Sequence, residues 1–284
     1  MQEDSLRIAV LVTSYNRVNV TLRCLGLLLE GFAGLDTVAA EVFLVDDKSP
    51  DGTGDKVREC FNSVHVIEGT GQLFWNGGMC LAFAKTMGEA FDAYLLFNDD
   101  SAVHPERVTR FISDFVRLNQ VSPAILVGPM TSVDGKPTYA GFRRVHRLRP
   151  LSFAQVLPNG ALQRVDAFNG NFVLIPGAFM RRVGGLDPGY RHSYGDLDLG
   201  LMAKKEGIGV ILWSQPVGVC DRNPPLSSIL KGQSFYNRLK YLFLGKNHIS
   251  QYIHFCWKHM PKILFPGYVI LYSVRIFFTA IKKY

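Results

Sequence analysis

Tyr94-Leu95-Leu96-Phe97-Asn98-Asp99-Asp100 is the stretch on which the fold turns. Four consecutive apolar residues bounded by polar ones read as a short buried strand. The strand ends abruptly in two carboxylates, which are costly there unless something positive joins them. Upstream, Val42-Phe43-Leu44-Val45 ends in Asp46-Asp47, and the apolar run from Arg7 to Thr13 ends in Ser14-Tyr15-Asn16-Arg17. Helix signals lie between and after these runs. They cover Asn19 to Leu29, Thr53 to Phe61 behind a Ser49-Pro50-Asp51-Gly52 turn, Met79 to Phe91, and Pro105 to Leu118 with its proline in the first turn. With a further strand from Val64 to Ile67, strands and helices alternate. That alternation predicts an α/β fold with a mostly parallel central sheet covered on both faces. Ligands of such sheets gather beyond the carboxyl ends of the strands, which places the acidic pairs in one cleft.

Beyond Ser122 the pattern is mixed. Ile125 to Val127, Thr138 to Phe142, Arg164 to Ala167, Asn171 to Ile175 and Val210 to Leu212 read as strands. Gly177 to Val183 and Leu199 to Glu206 read as helices. A third acidic turn, Gly195-Asp196-Leu197-Asp198, leads into the second of these. The five cysteines, Cys24, Cys60, Cys80, Cys220 and Cys256, are odd in number and widely spaced, which argues against a disulfide framework or a zinc site. Met1-Gln2-Glu3-Asp4-Ser5 is acidic and lacks the basic and apolar regions of a signal peptide, so a cytoplasmic catalytic part is expected.

The acidic ends each admit a plain and a chemical reading. Thr13-Ser14-Tyr15-Asn16-Arg17 lacks the Gly-x-Gly-x-x-Gly turn of a dinucleotide site. It offers hydroxyls, a ring and a guanidinium, suited to a nucleoside with phosphates; the plain reading is a polar turn with capping residues. Asp47 can accept from a base or a ribose, or can close an Asx-turn. Asp99 and Asp100, with Asn98, suit Mg2+ or Mn2+, which take oxygen ligands and keep several waters. Capping of the Pro105 helix by Asp100 or Ser101 is the alternative, and it leaves Asp99 unexplained. Asp196 and Asp198 both sit where a helix N-terminus favours negative charge, and spacing alone does not choose between them as a base. Gly69 to Gly78 reads as a flexible loop carrying Phe74 and Trp75, and Phe168-Asn169-Gly170-Asn171 as a turn or a ligand-lining strand.

In this order, the segments resemble the inverting family 2 glycosyltransferases of the GT-A fold, over about Leu6 to Asn223. The matching parts are Thr13 to Arg17, Val45-Asp46-Asp47, Asn76-Gly77-Gly78, Asn98-Asp99-Asp100, Gly184-Gly185-Leu186-Asp187 and Gly195 to Asp198. Bacterial rhamnosyl- and galactofuranosyl-type members look nearest. The resemblance implies a nucleotide-sugar donor held by Thr13, Tyr15, Arg17, Asp47, Trp75, Asn76, Gly77 and Asp99. It implies Asp100 as main ligand of Mn2+ or Mg2+ in a DxD-like motif, with Asn98 as a weakened or water-mediated ligand. Asp196 would be the catalytic base, with Asn169, Asn171 and Asp198 lining the acceptor and donor space. Many members have Glu where Gly195 stands. Gly218-Val219-Cys220-Asp221 occupies the region where some relatives carry a further His ligand. The acceptor would be a glycan or a lipid-linked oligosaccharide in surface polysaccharide assembly. Two other readings compete: a sugar-nucleotide nucleotidyltransferase, which usually opens with a Gly-rich loop, and a non-catalytic sugar- or nucleotide-binding scaffold.

The net charge of +7 is concentrated at one end. Leu226 to Tyr284 contains no Asp or Glu and nine Lys or Arg, interleaved with Phe235, Tyr236, Tyr241, Phe243, Tyr252, Phe255 and Trp257. A boundary near Arg222-Asn223-Pro224-Pro225 thus separates a catalytic domain, 1–225, from a basic, aromatic-rich helical region, 226–284. The region is too apolar for a nucleic-acid face, so no nucleic-acid partner is expected. It fits peripheral contact with the inner face of a membrane, or a packed helical pair serving as a homodimer contact. Ile263 to Ile281 is nearly long enough to span a bilayer, against which stand Pro266, Gly267 and Arg275. His248, His254 and His259 read as surface or interfacial.

Overall fold

The computed structural model describes residues 5–146, 148–149, 152–245 and 249–282. The readings that touch Met1 to Asp4, Lys246, His248 and Lys283 lie outside the described residues. The first half runs β1 (Leu6–Ser14), α1 (Val18–Ala33), β2 (Val38–Asp46), α2 (Thr53–Cys60), β3 (Val64–Glu68), α3 (Phe74–Lys85) and β4 (Ala93–Asn98). There follow β5 (Ala102–Val103), α4 (Pro105–Val121), β6 (Ala124–Val127), β7 (Met130–Thr131), β8 (Gly141–Arg144), β9 (Phe153–Val156), β10 (Gln163–Arg164), β11 (Ala167–Phe168) and β12 (Phe172–Pro176). Then come α5 (Gly177–Val183), α6 (Gly195–Lys205), β13 (Gly209–Leu212) and β14 (Gly218–Val219). The C-terminal region holds α7 (Leu226–Leu230), α8 (Phe235–Leu244), α9 (Ile249–His259) and α10 (Phe265–Ile281).

The main sheet has the order β10-β13-β6-β12-β4-β1-β2-β3. Strands β1 to β4 are parallel to their neighbours among themselves. β12 is inserted antiparallel between β4 and β6, so the predicted parallel sheet carries one reversed strand at its centre. Register explains the cleft: Ser14 pairs with Asp46 and Thr13 with Asn98, so three strand ends stop level. The strand period of two divides the core. Ile8, Val10, Val12, Leu95 and Phe97 face the layer of α1 and α4, while Ala9, Leu11, Tyr94 and Leu96 face the layer of α3, α5 and α6.

Several elements differ from the sequence reading. α3 begins at Phe74, so Trp75, Asn76, Gly77 and Gly78 are helical rather than loop residues, and it ends at Lys85 rather than near Phe91. The cause is Asp47, whose Oδ2 accepts from the Leu73 and Phe74 amides at 2.9 and 3.1 Å and so caps the helix from another strand. The strand expected over Arg164 to Ala167 splits into β10 and β11, and that over Thr138 to Phe142 starts only at Gly141. α4 does carry Pro105 in its first turn; its N-cap position is His104, with no side-chain capping bond, so neither Asp100 nor Ser101 caps it.

Candidate active site

A cleft of about 560 Å3 opens at the level strand ends. Thr13, Tyr15, Arg17, Asp47, Trp75, Asn98, Asp99, Asp100, Asn169, Asn171 and Asp196 all line it. One side is the donor side of the sequence reading. Arg17 sits at the N-cap position of α1, whose Val18 amide donates to Asp51 Oδ2 at 3.0 Å. Its Nη1 lies 2.5 Å from Asp100 Oδ2 and 3.3 Å from Asp99 Oδ1. Asp99 is buried and its Oδ2 also accepts from Thr21 Oγ1 at 3.1 Å. Burial lifts its carboxyl to about 6, with the guanidinium of Arg17 pulling the other way. For Arg17, burial favours the neutral form, but Asp99 and Asp100 outweigh it and raise its pKa.

Asp47 is less free than expected. Besides capping α3, its Oδ1 accepts from the Gly71 amide at 2.7 Å. It shapes the loop beside the cleft and keeps little acceptor capacity for a nucleoside. Asn98 is similarly committed: its Oδ1 accepts from Trp75 Nε1 at 2.7 Å, which weakens it as a metal ligand. The Trp75 ring lies against Gly170, where a Cβ would approach within 2.5 Å, so this glycine is required by close approach.

Two carboxylates were left open as the base, and α6 separates them. Asp196 stands in the first turn facing the cleft. Its Oδ2 accepts from the Gly170 amide at 3.2 Å and its Oδ1 from the Leu197 amide at 2.8 Å. Surrounding protein pushes its carboxyl up to about 6, against those two amides and Asn169. It keeps partial access to water through the cleft. Asp198 is not among the cleft-lining residues, contrary to the sequence reading. It is buried on the far side of the helix turn, where Lys258 Nζ donates to it at 2.8 Å and His259 Nε2 pairs with it.

Asn76 and Gly77 also fall outside the cleft lining. Asn76 is buried, and its Nδ2 donates to the carbonyls of Asp187 and Tyr190 at 3.0 and 2.8 Å. Its Oδ1 faces Gly195, where a Cβ would lie 1.8 Å away. The glycine before Asp196 is thus fixed by Asn76. Asn76 and Gly77 amides donate to the Arg191 carbonyl, so this pair anchors the opposite wall rather than touching a ligand.

That wall, Asp187 to Tyr194, depends on residues the sequence reading missed. Gln251 of α9 is fully buried, and its Oε1 accepts from the amides of Arg191, His192 and Ser193 at 2.9, 2.9 and 3.0 Å. Lys258 Nζ and His254 Nε2 reach Asp187 Oδ2 at 2.7 and 2.9 Å. Burial favours protonated Asp187, but those two partners outweigh it and hold the carboxyl at about 2. Burial lowers the pKa of His259, with Asp198 opposing. His254 is therefore a pairing residue of the wall and His259 a pairing residue of α6, and neither is a plain surface histidine. Gln251, His254, Lys258 and His259 share one face of α9 at helical spacing, a signal masked by the basic character of the segment.

A divalent cation fits one position. Asp100 keeps partial exposure in the cleft beside Arg17 and the Cys220 thiol, whose Sγ is 3.4 Å from Asp100 Oδ1. Burial and Asp100 push that thiol up, so it donates to Asp100 and is not a thiolate ligand. Among the described residues, groups of three or more His, Cys, Asp or Glu that could cage a metal are absent. The donor set therefore suits an open site with Asp100 as chief protein anchor, completed by phosphate and water.

The family model described as Glycosyl transferase family 2 matches residues 9–186. No curated protein sequence matches the chain. Among solved structures, the mannosyltransferase PcManGT from Pyrobaculum calidifontis, in complex with GDP-Man and Mn2+, is similar with a TM-score of 0.52 and 17% identity, over 96% of this chain and 72% of that one. GalNAc-T7 with UDP, GalNAc and Mn2+ is similar with a TM-score of 0.56 and 14% identity, over 96% of this chain and 58% of that one. The chain thus spans little more than half the length of the second structure. At these identities the likeness bears on the fold, which is GT-A.

Proposed function

This chain belongs to glycosyl transferase family 2 and is a glycosyltransferase, and we propose that it inverts the anomeric centre of the sugar it transfers. The donor is a nucleotide sugar and the acceptor a hydroxyl of a glycan or lipid-linked oligosaccharide. The observation that carries this reading is Asp196, a cleft-facing carboxylate with a raised pKa, in the same cleft as Asp99 and Asp100.

In this reading Asp196 takes the proton of the acceptor hydroxyl as its oxygen bonds to the anomeric carbon. The bond to the nucleoside diphosphate breaks in the same displacement, and the leaving group departs on the opposite face. A carboxylate with a pKa near 6 is ionised at neutral pH yet more basic than a solvated one, which suits this task. The Gly170 and Leu197 amides fix its orientation. On the other side Arg17 supplies positive charge for the diphosphate, and Thr13 and Tyr15 border the nucleoside. Asp100 would hold Mn2+ or Mg2+, whose chemistry is to neutralise charge building on the leaving diphosphate. The match to rhamnosyl- and galactofuranosyl-type motifs supports a hexosyl or deoxyhexosyl donor used in bacterial surface polysaccharide assembly. The acid-free 226–284 region supports peripheral contact with the cytoplasmic face of the membrane.

The test is product stereochemistry. Proton NMR of the glycoside formed from a defined nucleotide sugar should show inverted configuration, with product formation by Asp196→Asn slowed about 10³-fold. Retained configuration would overturn the mechanism.

A further inference from the structure

Helix α10 and the turn before it present an apolar face to water. Ile263, Ile270, Val274, Phe278 and Ile281 recur at helical spacing on one side, and Ile263 and Phe278 are 88% and 66% exposed. The opposite side is turned to protein: Ile276 and Ala280 are buried, and Tyr272 stacks on Tyr252 of α9 with centroids 3.7 Å apart. A contiguous stripe of this kind marks an interaction surface rather than scattered apolar residues.

Lys262–Ile281 is long and apolar enough to cross a membrane by length and composition. Its packing argues for a different placement. Protein contacts follow α10 from end to end. Phe265 meets Trp257 of α9 at 5.2 Å, Tyr272 meets Tyr252 in the middle, and Phe277 meets Phe235 of α8 at 5.9 Å. Arg238 of α8 donates to the Lys282 carbonyl at 2.6 Å. α8 has 10 residues. At a rise of about 1.5 Å per residue it reaches about 15 Å, half of a hydrocarbon core of about 30 Å. α9 is held to the cleft wall by Gln251, Lys258 and His259. A crossing α10 would either drag Arg238 and Lys240 into lipid or lose these partners.

We infer that α10 lies in the plane of an anionic membrane, its Ile270-to-Ile281 face sunk in one leaflet and its other face kept on α8 and α9. This rests on the reading that 226–284 meets a membrane. Charge complementarity names the occupant: the region has no acidic residue, and Arg275 of α10 and Lys240 of α8 are exposed, with Lys262 exposed over the Trp257 ring. Apolar helix faces flanked by bases bind at the headgroup boundary of anionic lipid.

Two measurements on the full chain test it. In co-sedimentation, the protein should pellet with vesicles containing a quarter phosphatidylglycerol. Ile270→Glu with Phe278→Glu should lower the bound fraction by roughly tenfold or more with unchanged melting temperature. If the unmutated chain fails to pellet, the membrane reading itself falls. If it pellets equally well with the double substitution, this face is not the docking surface. If the chain instead self-associates without lipid and the double substitution abolishes that, a second copy covers the stripe and the inference is overturned. In spheroplasts of a bacterial host, epitope tags before Met1 and after Tyr284 should both resist external protease and both be cut after lysis. A C-terminal tag cut in intact spheroplasts would mean a crossing helix and overturn the in-plane placement while sparing the membrane reading.

Discussion

Thr13, Asn98 and Asp99 stand at the ends of paired strands, whereas Asp196 stands at the start of a helix whose approach, Asp187 to Tyr194, has no strand beneath it. The first wall is held by sheet register and, for its side chains, chiefly by the nearby Thr21, Arg17 and Trp75, with Cys220 reaching Asp100 from afar. The second is held by Asn76 from one side and by α9 from the other, Gln251 lying 60 residues beyond Arg191. The walls therefore fail in different ways. Damage to the first should cost donor and metal binding. Damage to the second should cost placement of the base while leaving the donor bound.

The sharpest contrast comes from the two carboxylates to which the proposed mechanism assigns the chemistry. Asp196→Asn should lower turnover about 10³-fold, the scale of a lost general base, with nucleotide affinity by calorimetry within about twofold of the starting protein. Lost affinity with retained turnover would reverse the assignment of the walls. The same variant has a stability signature. Asp196 is lifted to about 6 in the folded chain, above its unfolded value of about 4. The folded state then holds the proton more tightly, so stability falls as pH rises from about 4 to about 6. Above that window the ionised carboxylate costs up to about 3 kcal/mol, which Asp196→Asn should recover as a higher Tm at pH 7 but not at pH 4.

On the other wall, Asp100→Asn should slow transfer by about 10²-fold, on the scale of losing one charge-stabilising group. Manganese titration followed by electron paramagnetic resonance should show weaker binding; unchanged affinity would move the anchor elsewhere. Gln251→Ala orphans the amides of Arg191, His192 and Ser193, the last two in the lining of the cleft. It should lower kcat about tenfold with donor affinity unchanged, and move the acid limb of the pH–rate profile below its value near 6 as water reaches Asp196. Gln251→Glu, which keeps the accepting oxygen, should restore much of the rate. A loss confined to donor KM would break the distinction between the walls. The smallest effect expected on catalysis is that of Gly195→Ala, which should instead destabilise the fold by about 1–3 kcal/mol in urea unfolding, as overpacking does.

The strand-end wall was largely legible because its signals are local. Apolar runs ending in Asp46-Asp47 and Asn98-Asp99-Asp100 carry fold and site together, and parallel pairing then brings them level. Asp47 and Asn98 do line the cleft, but the bonds they accept from the Leu73 amide and the Trp75 indole were not legible, because they come from an unexpected early start of α3. The helical wall was legible only at Asp196. The choice between Asp196 and Asp198 depends on which points outward from α6, and Lys258 and His259, which settle it, lie in a segment whose composition reads as surface. Long-range side-chain-to-backbone bonds such as those of Gln251 leave no periodic trace in a sequence.

The Asn76–Gly195 contact also constrains the order in which this site could change over generations. The family resemblance leads one to expect Glu where Gly195 stands, but here any side chain would collide with the Asn76 amide oxygen. A descendant reaching the commoner residue must first shrink or turn position 76, surrendering its two bonds to the Asp187 and Tyr190 carbonyls. Either single step is penalised, by the clash at 195 or by the bonds lost at 76. Two positions 119 apart in the chain are thereby bound into one inherited unit, and transplanting either alone between relatives should fail.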